Sequence, residues 1–467
     1  MAIIQNQTDT IAALATPAGS GAIAVLRISG KDAFTVCDKI FSSAKKKDKR
    51  ISEQKSHTLH FGFIKSGEKN IDEVLVSVFR TPHSYTGEDV IEISCHGSTF
   101  VQQKMLEAIV AAGARLAQPG EFTLRAFLNG KFDLAQAEAV ADLIAANSAS
   151  SHHVAMQQMR GGFSSEIKKL RDQLIHFASL LELELDFSEE DVVFANREEL
   201  KYLILNLSSH ILSLISSFRL GNVIRNGVPV AIAGKPNAGK STLLNALLNE
   251  ERAIVTSIAG TTRDTIEEEI NIEGINFRFI DTAGIRSSTD IIESIGVAKT
   301  FEKINKAVAI IYLFDPKETS YAELKTIIAD LKATSMERKA TLLPVANKVD
   351  QYDIEKLKRD FPPNEIIFIS AKKQINLDQL TKRLLELTLG DKINLNDAIV
   401  TNARHVEALT KTEEVLANAL QGLNTSITTD FIASDIRRAL YFLGEITGEI
   451  TTDNLLENIF SKFCIGK

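Results

Sequence analysis

The sequence Val228-Pro-Val-Ala-Ile-Ala-Gly-Lys-Pro-Asn-Ala-Gly-Lys-Ser241 decides the fold of the middle of the chain. It joins an apolar run, typical of a buried strand, to the pattern GxxxxGK[ST], and the helical run 242–248 follows. In this context the glycines let backbone N–H groups turn towards phosphates, Lys240 neutralises phosphate oxygens and the Ser241 hydroxyl binds Mg²⁺. The stretch predicts a P-loop nucleotide site, and the motifs that follow argue against the alternative, a glycine-rich structural turn.

Two motifs further along the chain indicate which base the site binds. Asn347-Lys-Val-Asp350 follows the apolar strand 342–346, and Ser370-Ala-Lys372 follows the strand 366–369. A carboxylate that accepts hydrogen bonds from guanine N1–H and the exocyclic amine rejects adenine, which presents neither donor there. A backbone amide of the second motif is available for the guanine carbonyl oxygen. The pair predicts GTP rather than ATP.

Two segments between the P-loop helix and the base motifs are predicted to contact the γ-phosphate. Asp281-Thr-Ala-Gly284 ends the strand 275–280, so that the carboxylate can reach Mg²⁺ through water and the Gly284 amide can contact the phosphate. Gly260-Thr-Thr-Arg-Asp264 precedes the strand 266–272, where a threonine is expected to bind Mg²⁺. Ordinary helix capping by Thr261 or Thr262 is the other interpretation of that segment.

The hydrolytic step must be organised differently from that of Ras-type enzymes. Those enzymes place a glutamine directly after DTAG, whereas this chain has Ile285, which can neither donate nor accept a hydrogen bond. Glu293, with Asp290 nearby, is a candidate to orient the attacking water, and Arg286 is a candidate to stabilise negative charge. From the residues alone, a solvated helix position is the favoured interpretation of each.

The flanking sequence predicts a multidomain protein of α+β and α/β parts. Residues 1–128 carry short strand patterns at 22–28, 71–79 and 90–93 and a helical pattern at 100–112, which favours an α+β domain. Residues 129–221 and 391–467 have helical periodicity, while 222–390 alternate strands and helices as in a mostly parallel, doubly wound sheet. We expect one helical domain into which the α/β domain is inserted; two independent bundles are the alternative.

The last helical pattern lies close to the end of the chain. Asp453 is expected to be its N-cap. Its apolar positions fall on one face of a helix: Leu455, Leu456, Ile459, Phe460 and Phe463.

Composition excludes several classes of protein. The chain has 467 residues, 44% hydrophobic and 24% charged, which is typical of folded globular domains. Its net charge of -7 means that nucleic-acid binding would need local basic patches. Cys37, Cys95 and Cys464 show no CxxC spacing, which fits a reducing cytosol. The first residues lack the pattern of a signal peptide, and the longest apolar run, 307–314, is too short to cross a membrane, so a cytoplasmic protein is expected.

Motifs spread along the chain resemble those of the MnmE (TrmE) family of tRNA-modification GTPases, within the TrmE-Era-EngA-like group. In the middle they are GKPNAGKS, GTTRD, DTAG, NKVD and SAK, in that order. In the flanks they are the glycine-containing stretch 15–30, Tyr85-Thr-Gly-Glu-Asp-Val90, the stretch 119–138 and the terminal Phe463-Cys-Ile-Gly-Lys467. The resemblance spans essentially all of the chain.

The resemblance implies a homodimer that joins the FAD-dependent protein MnmG in a heterotetramer and acts on tRNA. Together they would form the 5-carboxymethylaminomethyl (or aminomethyl) group on the wobble uridine of certain tRNAs. A 5-formyltetrahydrofolate-type folate would bind the N-terminal domain, which also dimerises, and the matching positions are Arg27, Glu92, Lys131 and Lys467. Taken singly, each of these four is more often a surface charge. Cys464 matches a position implicated in the modification.

The resemblance also implies that K⁺ stimulates GTP hydrolysis as two G domains dimerise. The matching K⁺ ligands are Asn237, Thr256, Ile258 and Thr261, while Thr262 matches the Mg²⁺ threonine beside Ser241. Glu293 matches the water-orienting glutamate, and it joins Lys240 and Cys464 as a candidate catalytic residue. The motifs and the resemblance together assign GTP binding to Asn237, Ala238, Gly239, Lys240, Ser241, Thr242, Thr256, Thr262, Asp281, Thr282, Ala283, Gly284, Asn347, Lys348, Asp350, Ser370 and Ala371.

Two other functions share the same GTP motifs. A ribosome-assembly GTPase would need a basic RNA-binding appendage such as a KH domain, but this chain ends in an acidic helical segment and CIGK. A GTP-gated scaffold without a direct catalytic role is the second alternative. Rates of GTP turnover in K⁺ and Na⁺ discriminate between them and the family mechanism.

Overall fold

The structure, a computed structural model, describes residues 9–44, 50–186, 196–250, 267–281, 307–334, 340–389, 398–425 and 428–466. The chain divides into two compact units. The first consists of Met1–Ile144, Gln157–Ser208 and Ala408–Lys467, and the second of Ala145–Met156 and Ser209–Glu407. The domain limits expected from the sequence, at 128, 221 and 390, remain a prediction.

The first unit contains a seven-stranded sheet in the order β3-β4-β5-β6-β2-β1-β7. Neighbouring strands are antiparallel except β1 and β7, which are parallel. The helices α1 (Ala33–Ile40) and α2 (Thr99–Ala111) contribute buried apolar side chains to the same core as the sheet. The strands are β1 (Ile11–Leu14), β2 (Ile23–Ser29), β3 (Phe41–Ser43), β4 (Thr58–Ser66), β5 (Lys69–Phe79), β6 (Val90–His96) and β7 (Arg115–Leu116).

Helices follow this sheet in the chain and return at its end. The first set is α3 (Glu121–Leu128), α4 (Leu134–Ala145), α5 (Ala149–Met159), α6 (Gly162–Asp186) and α7 (Arg197–Asn226). The final set is α12 (Ala403–Asn424), α13 (Thr429–Thr447) and α14 (Asp453–Phe460). In the first unit α13 packs along α6, and α14 packs on α3. Segments from both ends of the chain therefore build one unit.

Helix α7 is long and apolar enough to cross a membrane by length and composition, with a mean hydropathy of 1.3 in its best window. Its buried side chains nevertheless recur at spacings of three and four, which gives the single stripe of a helix packed against protein. This pattern supports the expectation that the chain does not span a membrane, which remains a prediction. Up to Leu214 the buried positions are Leu200, Ile204, Leu207, Ile211 and Leu214, and Val223 and Ile224 are buried near the end of the helix.

The second unit contains a six-stranded sheet in the order β13-β12-β11-β8-β10-β9. All neighbours are parallel except β9 and β10, which form an antiparallel pair. This confirms the mostly parallel sheet expected from the sequence. The strands are β8 (Val228–Ala233), β9 (Glu267–Ile272), β10 (Ile275–Asp281), β11 (Ala309–Phe314), β12 (Thr341–Ala346) and β13 (Ile367–Phe368), and the helices are α8 (Lys240–Glu250), α9 (Tyr321–Thr334), α10 (Ile354–Asp360) and α11 (Leu377–Leu389).

The end of the chain differs in one detail from the expectation. Asp453 is not the N-cap of α14: Thr452 is, and it accepts a hydrogen bond from the Leu455 amide. A threonine hydroxyl makes the same bond as an aspartate, so sequence alone could not separate the two neighbours. Of the five positions predicted on the apolar face, four are buried and Leu455 is partly buried against the same cluster.

The segment after α14 packs closely on the N-terminal part of the first unit. Gly120 has φ 69, and a Cβ there would lie 2.5 Å from the Phe460 carbonyl oxygen and 3.0 Å from the Phe463 Cβ. The Gly120 amide donates to the Cys464 carbonyl at 3.4 Å. Gly466 has φ 94, and a Cβ there would overlap the Leu14 carbonyl oxygen. Close backbone approach thus fixes the tail at two points.

We expect Gly120→Ala to weaken the first unit more than Gly67→Ala does. Both positions have similar left-handed φ values, 69 and 62, but the added Cβ at Gly67 meets nothing within 4 Å. Both variants bear the backbone strain of about 1 kcal/mol, whereas only Gly120→Ala adds a steric cost of about 2 kcal/mol. Urea unfolding followed by circular dichroism measures the difference, and equal midpoints would contradict the close approach.

Candidate functional site

The loop between β8 and α8 has the backbone that a P-loop requires. Gly234 has φ 153, and a Cβ there would overlap the Leu313 carbonyl oxygen. Gly239 has φ 98, and a Cβ there would overlap the Asn347 side-chain amide. Both positions therefore require glycine for steric reasons as well as for their backbone angles. Asn237 lies between them with φ 64, a conformation that asparagine tolerates better than most residues.

Lys240 and the first turn of α8 bring positive charge and hydrogen-bond donors to this loop. The Lys240 ammonium donates to the carbonyl oxygens of Gly234 at 2.8 Å and of Lys235 at 3.0 Å, so it lies against the loop backbone. Ser241 and Thr242 are exposed in the first turn of α8. The N-terminus of an eleven-residue helix presents N–H groups that have no acceptor within the helix, and the positive end of its dipole. These features together suit a phosphate group.

Asn347 ties the phosphate loop to the base motifs. It is 2% exposed, its Nδ2 donates to the Ala238 carbonyl at 2.8 Å, and its Oδ1 accepts from the Ala371 amide at 3.0 Å. One buried side chain therefore bridges two loops that are more than a hundred residues apart. Because both of its polar atoms are paired inside the protein, the bridge carries no cost of unsatisfied burial.

Asp350 is held by the second base motif. The Ser370 hydroxyl is buried and donates to Asp350 Oδ1 at 2.5 Å, while it accepts from the Lys373 amide at 3.2 Å. Asp350 itself is exposed. A carboxylate accepts several hydrogen bonds, so one bond from serine leaves capacity for the two donors of a guanine edge. The structure thus brings together the predicted base residues Asn347, Asp350, Ser370 and Ala371.

Most of the predicted γ-phosphate and metal residues lie outside the described part of the chain. These are Thr256, Ile258, Thr261, Thr262, Thr282, Ala283, Gly284 and Glu293, together with Ile285, Arg286 and Asp290. Of Asp281 the backbone is described: it pairs with Ile232 at the end of β10, beside the start of the P-loop. The described donors for cations are the exposed Ser241 hydroxyl and the exposed Asn237 amide. Neutral oxygen donors fit Mg²⁺ and K⁺, which both prefer oxygen.

The candidate folate residues lie in the first unit. Arg27 and Glu92 are register partners on β2 and β6, and the Arg27 guanidinium contacts Glu92 Oε1 at 2.8 and 2.9 Å. Arg27 also donates to the Gly466 carbonyl at 3.4 Å and lies 5.1 Å from the centre of the Tyr85 ring. The tail thus reaches Arg27 one residue before Lys467, which is itself outside the described residues.

The other candidate residues described in the first unit are Lys131 and Cys464. Lys131 is exposed and donates to the Pro82 carbonyl at 3.0 Å. Tyr85 links the Arg27 group to the segment of Lys131, because the centre of its ring lies 5.9 Å from that of Phe132. Cys464 is exposed, whereas Cys37 and Cys95 are buried. Cys464 is therefore the accessible thiol among the three cysteines, and its carbonyl is anchored at Gly120.

A buried ion cluster is a feature that sequence reasoning missed. Arg125, which is 4% exposed, contacts Asp9 at 2.6 Å, Glu121 at 3.1 Å and Glu88 at 3.2 Å. Arg115 contacts Asp9 and Glu121 at 2.7 Å each. The only signal in the sequence was that Glu88, Glu121 and Arg125 stand in the stretches 85–90 and 119–138, which the resemblance uses. The cluster gives those stretches a structural role.

The cluster holds its carboxylates in the charged form. Burial by itself would raise the pKa of Glu121, but hydrogen bonds from Arg115 and the Gln118 amide, and the charge of Arg125, lower it below its usual value. Burial also acts to raise the pKa of Asp9, but the bonds from Arg115 and Arg125 outweigh it, so that this pKa is lowered. The folded protein therefore stabilises the ionised form of both carboxyl groups over the protonated form.

Comparisons with known proteins show which proteins the chain is similar to. A family profile described as MnmE helical domain matches residues 134–464, and one described as GTP-binding protein TrmE N-terminus matches residues 10–131. The tRNA modification GTPase MnmE of Cytophaga hutchinsonii is 56% identical over 464 residues, covering 99% of each chain. That of Flavobacterium psychrophilum is 53% identical over 462 residues, covering 98% of this chain and 99% of the relative. The similarity therefore runs over nearly the whole chain.

One solved structure is similar to part of the chain. The crystal structure of Aquifex aeolicus Era bound to GDP.AlF4- has a TM-score of 0.27 and 28% identity, covering 40% of this chain and 66% of that one.

The ion cluster predicts loss of stability in acid. Because the pKa values of Asp9 and Glu121 are lowered in the folded state, their contribution is complete above the usual pKa values of 3.8 and 4.5. It is lost as the pH falls further, through the folded values. The melting temperature, measured between pH 7 and pH 3, should therefore stay constant at first and then fall below about pH 4.5.

Replacement of Glu121 tests the assignment of this fall. Glu121→Gln should lower stability at pH 7 by about 3 kcal/mol and make the fall in acid shallower, because one partner of a buried pair is lost. Glu68→Gln, at an exposed position of the same unit, is the matched control and should change neither. Identical pH profiles for Glu121→Gln and the unaltered chain would contradict the prediction.

Proposed function

The chain belongs to the MnmE family of tRNA modification GTPases, and from that premise we propose that it hydrolyses GTP at the P-loop as part of wobble-uridine modification of tRNA. The observation that carries the GTP site is the bridge made by Asn347 between Ala238 and Ala371. This bridge joins a phosphate loop and a guanine pocket into one site. It needs no residue outside the described part of the chain.

Each described residue of the site has a separate task in hydrolysis. Lys240 and the N-terminus of α8 hold the β- and γ-phosphates, and the loop amides from Asn237 to Gly239 surround them. Asp350 and the Ala371 amide hold the guanine, with Ser370 fixing the carboxylate. Ser241 would hold Mg²⁺, together with Thr262 from outside the described residues, and the metal would neutralise charge on the phosphate oxygens.

The rate of hydrolysis is proposed to depend on K⁺ and on a second G domain. Asn237 offers an amide oxygen at the loop, and Thr256, Ile258 and Thr261 complete the cation's ligands. Glu293 orients the attacking water through its carboxylate, a task that Ile285 cannot perform. K⁺ supplies the positive charge that other GTPases take from an arginine.

The tRNA chemistry is proposed to take place in the first unit, with MnmG. A 5-formyltetrahydrofolate-type donor binds at Arg27, Glu92, Lys131 and Lys467. Arginine and lysine suit the carboxylates of a folate tail, and the Glu92 carboxylate suits the donors of a pterin ring. Cys464 acts at the tail that Gly120 and Arg27 hold in place. The product is the 5-carboxymethylaminomethyl or aminomethyl group on the wobble uridine.

The proposed homodimer is supported by an apolar patch on the sheet of the first unit. Leu59 and Phe61 on β4, Leu75 on β5 and Ile23 on β2 are exposed, and Phe61 and Leu75 are register partners. Because successive side chains of β2 alternate between the two faces of the sheet, Ile23 lies on the same face as Arg27. Exposed apolar patches of this kind mark protein interfaces, and a dimer with twofold symmetry covers the same patch on both copies. A cytoplasmic location fits such an assembly.

Mass spectrometry of tRNA tests the assigned pathway. In a deletion strain, wobble uridines of the affected tRNAs should lack the modification, and the unaltered gene should restore it. Cys464→Ser should fail to restore it, because the thiol is lost while the fold of the tail is kept. Ser461→Ala, an exposed change in the same tail, is the control and should restore it fully. Full modification in the empty deletion strain would refute the function.

Salt dependence tests the hydrolytic mechanism. GTP turnover should be about tenfold or more faster in K⁺ than in Na⁺ buffer, because the smaller, more strongly hydrated ion does not fit an oxygen cage for K⁺. Glu293→Ala should lower kcat about 100-fold, the usual loss when a group that handles the attacking water is removed. Asp290→Ala, a neighbouring carboxylate without that match, is the control. Equal rates in both salts for all three proteins would rule out the mechanism.

A further inference from the structure

A buried carboxylate outside the predicted motifs contacts the turn that carries the guanine-selecting aspartate. Asp315 directly follows β11, and its side chain is 6% exposed. Its Oδ2 contacts the Lys348 ammonium at 2.9 Å, and its Oδ1 accepts from the Tyr352 hydroxyl at 2.6 Å. Its Oδ1 also accepts from the Lys317 amide at 3.0 Å. Sequence reasoning assigned Asp315 no role.

The contacts of Asp315 fall on both sides of Asp350. A short 3-10 helix, Val349–Gln351, carries Asp350 between Lys348 and Tyr352. One carboxylate therefore bonds to the residue before this turn and to the residue after it. The turn is also held by the Val349 amide, which donates to the Ile369 carbonyl at 3.2 Å. Two bonds to Asp315, just after β11, and one to Ile369, just after β13, thus fix the turn.

The backbone conformation of this turn carries a local energetic cost, which these bonds offset. Lys348 has φ 63, a left-handed conformation that is unfavourable for a residue with a Cβ. An ion pair to a largely buried carboxylate opposes its relaxation more strongly than an exposed pair would. Burial alone would raise the pKa of Asp315, but the bonds from Tyr352, the Lys317 amide and Lys348 lower it, so the group stays anionic. Burial and Asp315 also raise the pKa of Tyr352 to about 12, which keeps the phenol a donor.

We propose that Asp315 is a positioning residue for guanine selection, which clamps both ends of the turn that carries Asp350. The inference rests on the proposed GTP site and adds to it a residue that contacts neither base nor phosphate. Ser370 fixes the Asp350 carboxylate directly, and Asp315 fixes the backbone from which that carboxylate extends. Loss of the clamp should therefore reduce the fit of Asp350 to the two donors of guanine.

Inosine triphosphate provides the readout that separates positioning from general stability. Its base keeps the N1–H donor but lacks the exocyclic amine, so it offers Asp350 one hydrogen bond instead of two. The ratio of GTP to ITP affinity therefore reports how well the carboxylate is placed. A purely structural role of Asp315 would weaken both nucleotides equally or lower only the melting temperature.

The experiment compares three variants of the full chain by calorimetric titration with GTP and ITP and by steady-state kinetics. Asp315→Asn keeps the shape and the acceptor for Tyr352 but removes the charge that holds Lys348. It should raise the Kd for GTP about tenfold and reduce the GTP-over-ITP preference at least about threefold, with kcat at saturating GTP changed less than about twofold. Tyr352→Phe should give a smaller change in the same direction, and it tests the clamp if Asp315→Asn does not fold.

The matched control is Asp353→Asn, which removes the same charge just after the turn. Asp353 caps α10 by accepting from the Glu355 amide and is exposed, so its replacement should leave the GTP-over-ITP preference unchanged. An unchanged preference in both Asp315→Asn and Tyr352→Phe would overturn the clamp. Failure of the unaltered chain to bind GTP would instead refute the proposed function, so the two failures are distinguishable.

Discussion

The nucleotide site depends on the buried amide of Asn347. Its two polar atoms pair with the Ala238 carbonyl of the phosphate loop and with the Ala371 amide of the base loop. Removal of this amide would leave a buried acceptor and a buried donor without partners, and each such group costs about 1–3 kcal/mol. The same constraint requires glycine at position 239, since any side chain there would overlap the Asn347 amide. Base and phosphate binding are therefore parts of one rigid arrangement rather than independent contacts.

Local patterns in the sequence were sufficient for the middle sheet and its loops. The P-loop strand, its helix and the strands before the base motifs were all predicted, because each motif has a fixed position at a strand end. The contacts of Asp315 and the ion cluster around Arg125 could not be predicted in this way. Arg125 meets Asp9, 116 residues away, and Arg27 meets Gly466, 439 residues away. No local periodicity encodes such distances. The cap of α14 was missed for a local reason, because Thr452 and Asp453 are neighbours that can make the same capping bond.

The tail of the chain illustrates how tertiary structure changes the meaning of a residue. A single cysteine close to a C-terminus has no notable feature in the sequence. In the structure its neighbours Phe460 and Phe463 are buried with Leu124 and Leu134, and the Cys464 carbonyl is bonded to Gly120. The thiol is thus exposed on an ordered segment rather than at a free end. An ordered position is what a group that acts on a bound molecule requires.

Binding of the base and catalysis of hydrolysis place different demands on this site. In the proposed site, contacts to guanine are remote from the bond that breaks, so Asp350 and Ser370 would stabilise the bound substrate and the transition state to the same extent. Such uniform binding lowers KM but does not raise kcat. In the proposed mechanism the rate comes from groups at the γ-phosphate. Of these, Asn237, Lys240 and Ser241 are described, and the other candidates belong to segments 256–262 and 282–293, outside the described residues. A clamp such as that of Asp315 can therefore sharpen base selection without slowing turnover, since the two tasks use separate parts of the loop system.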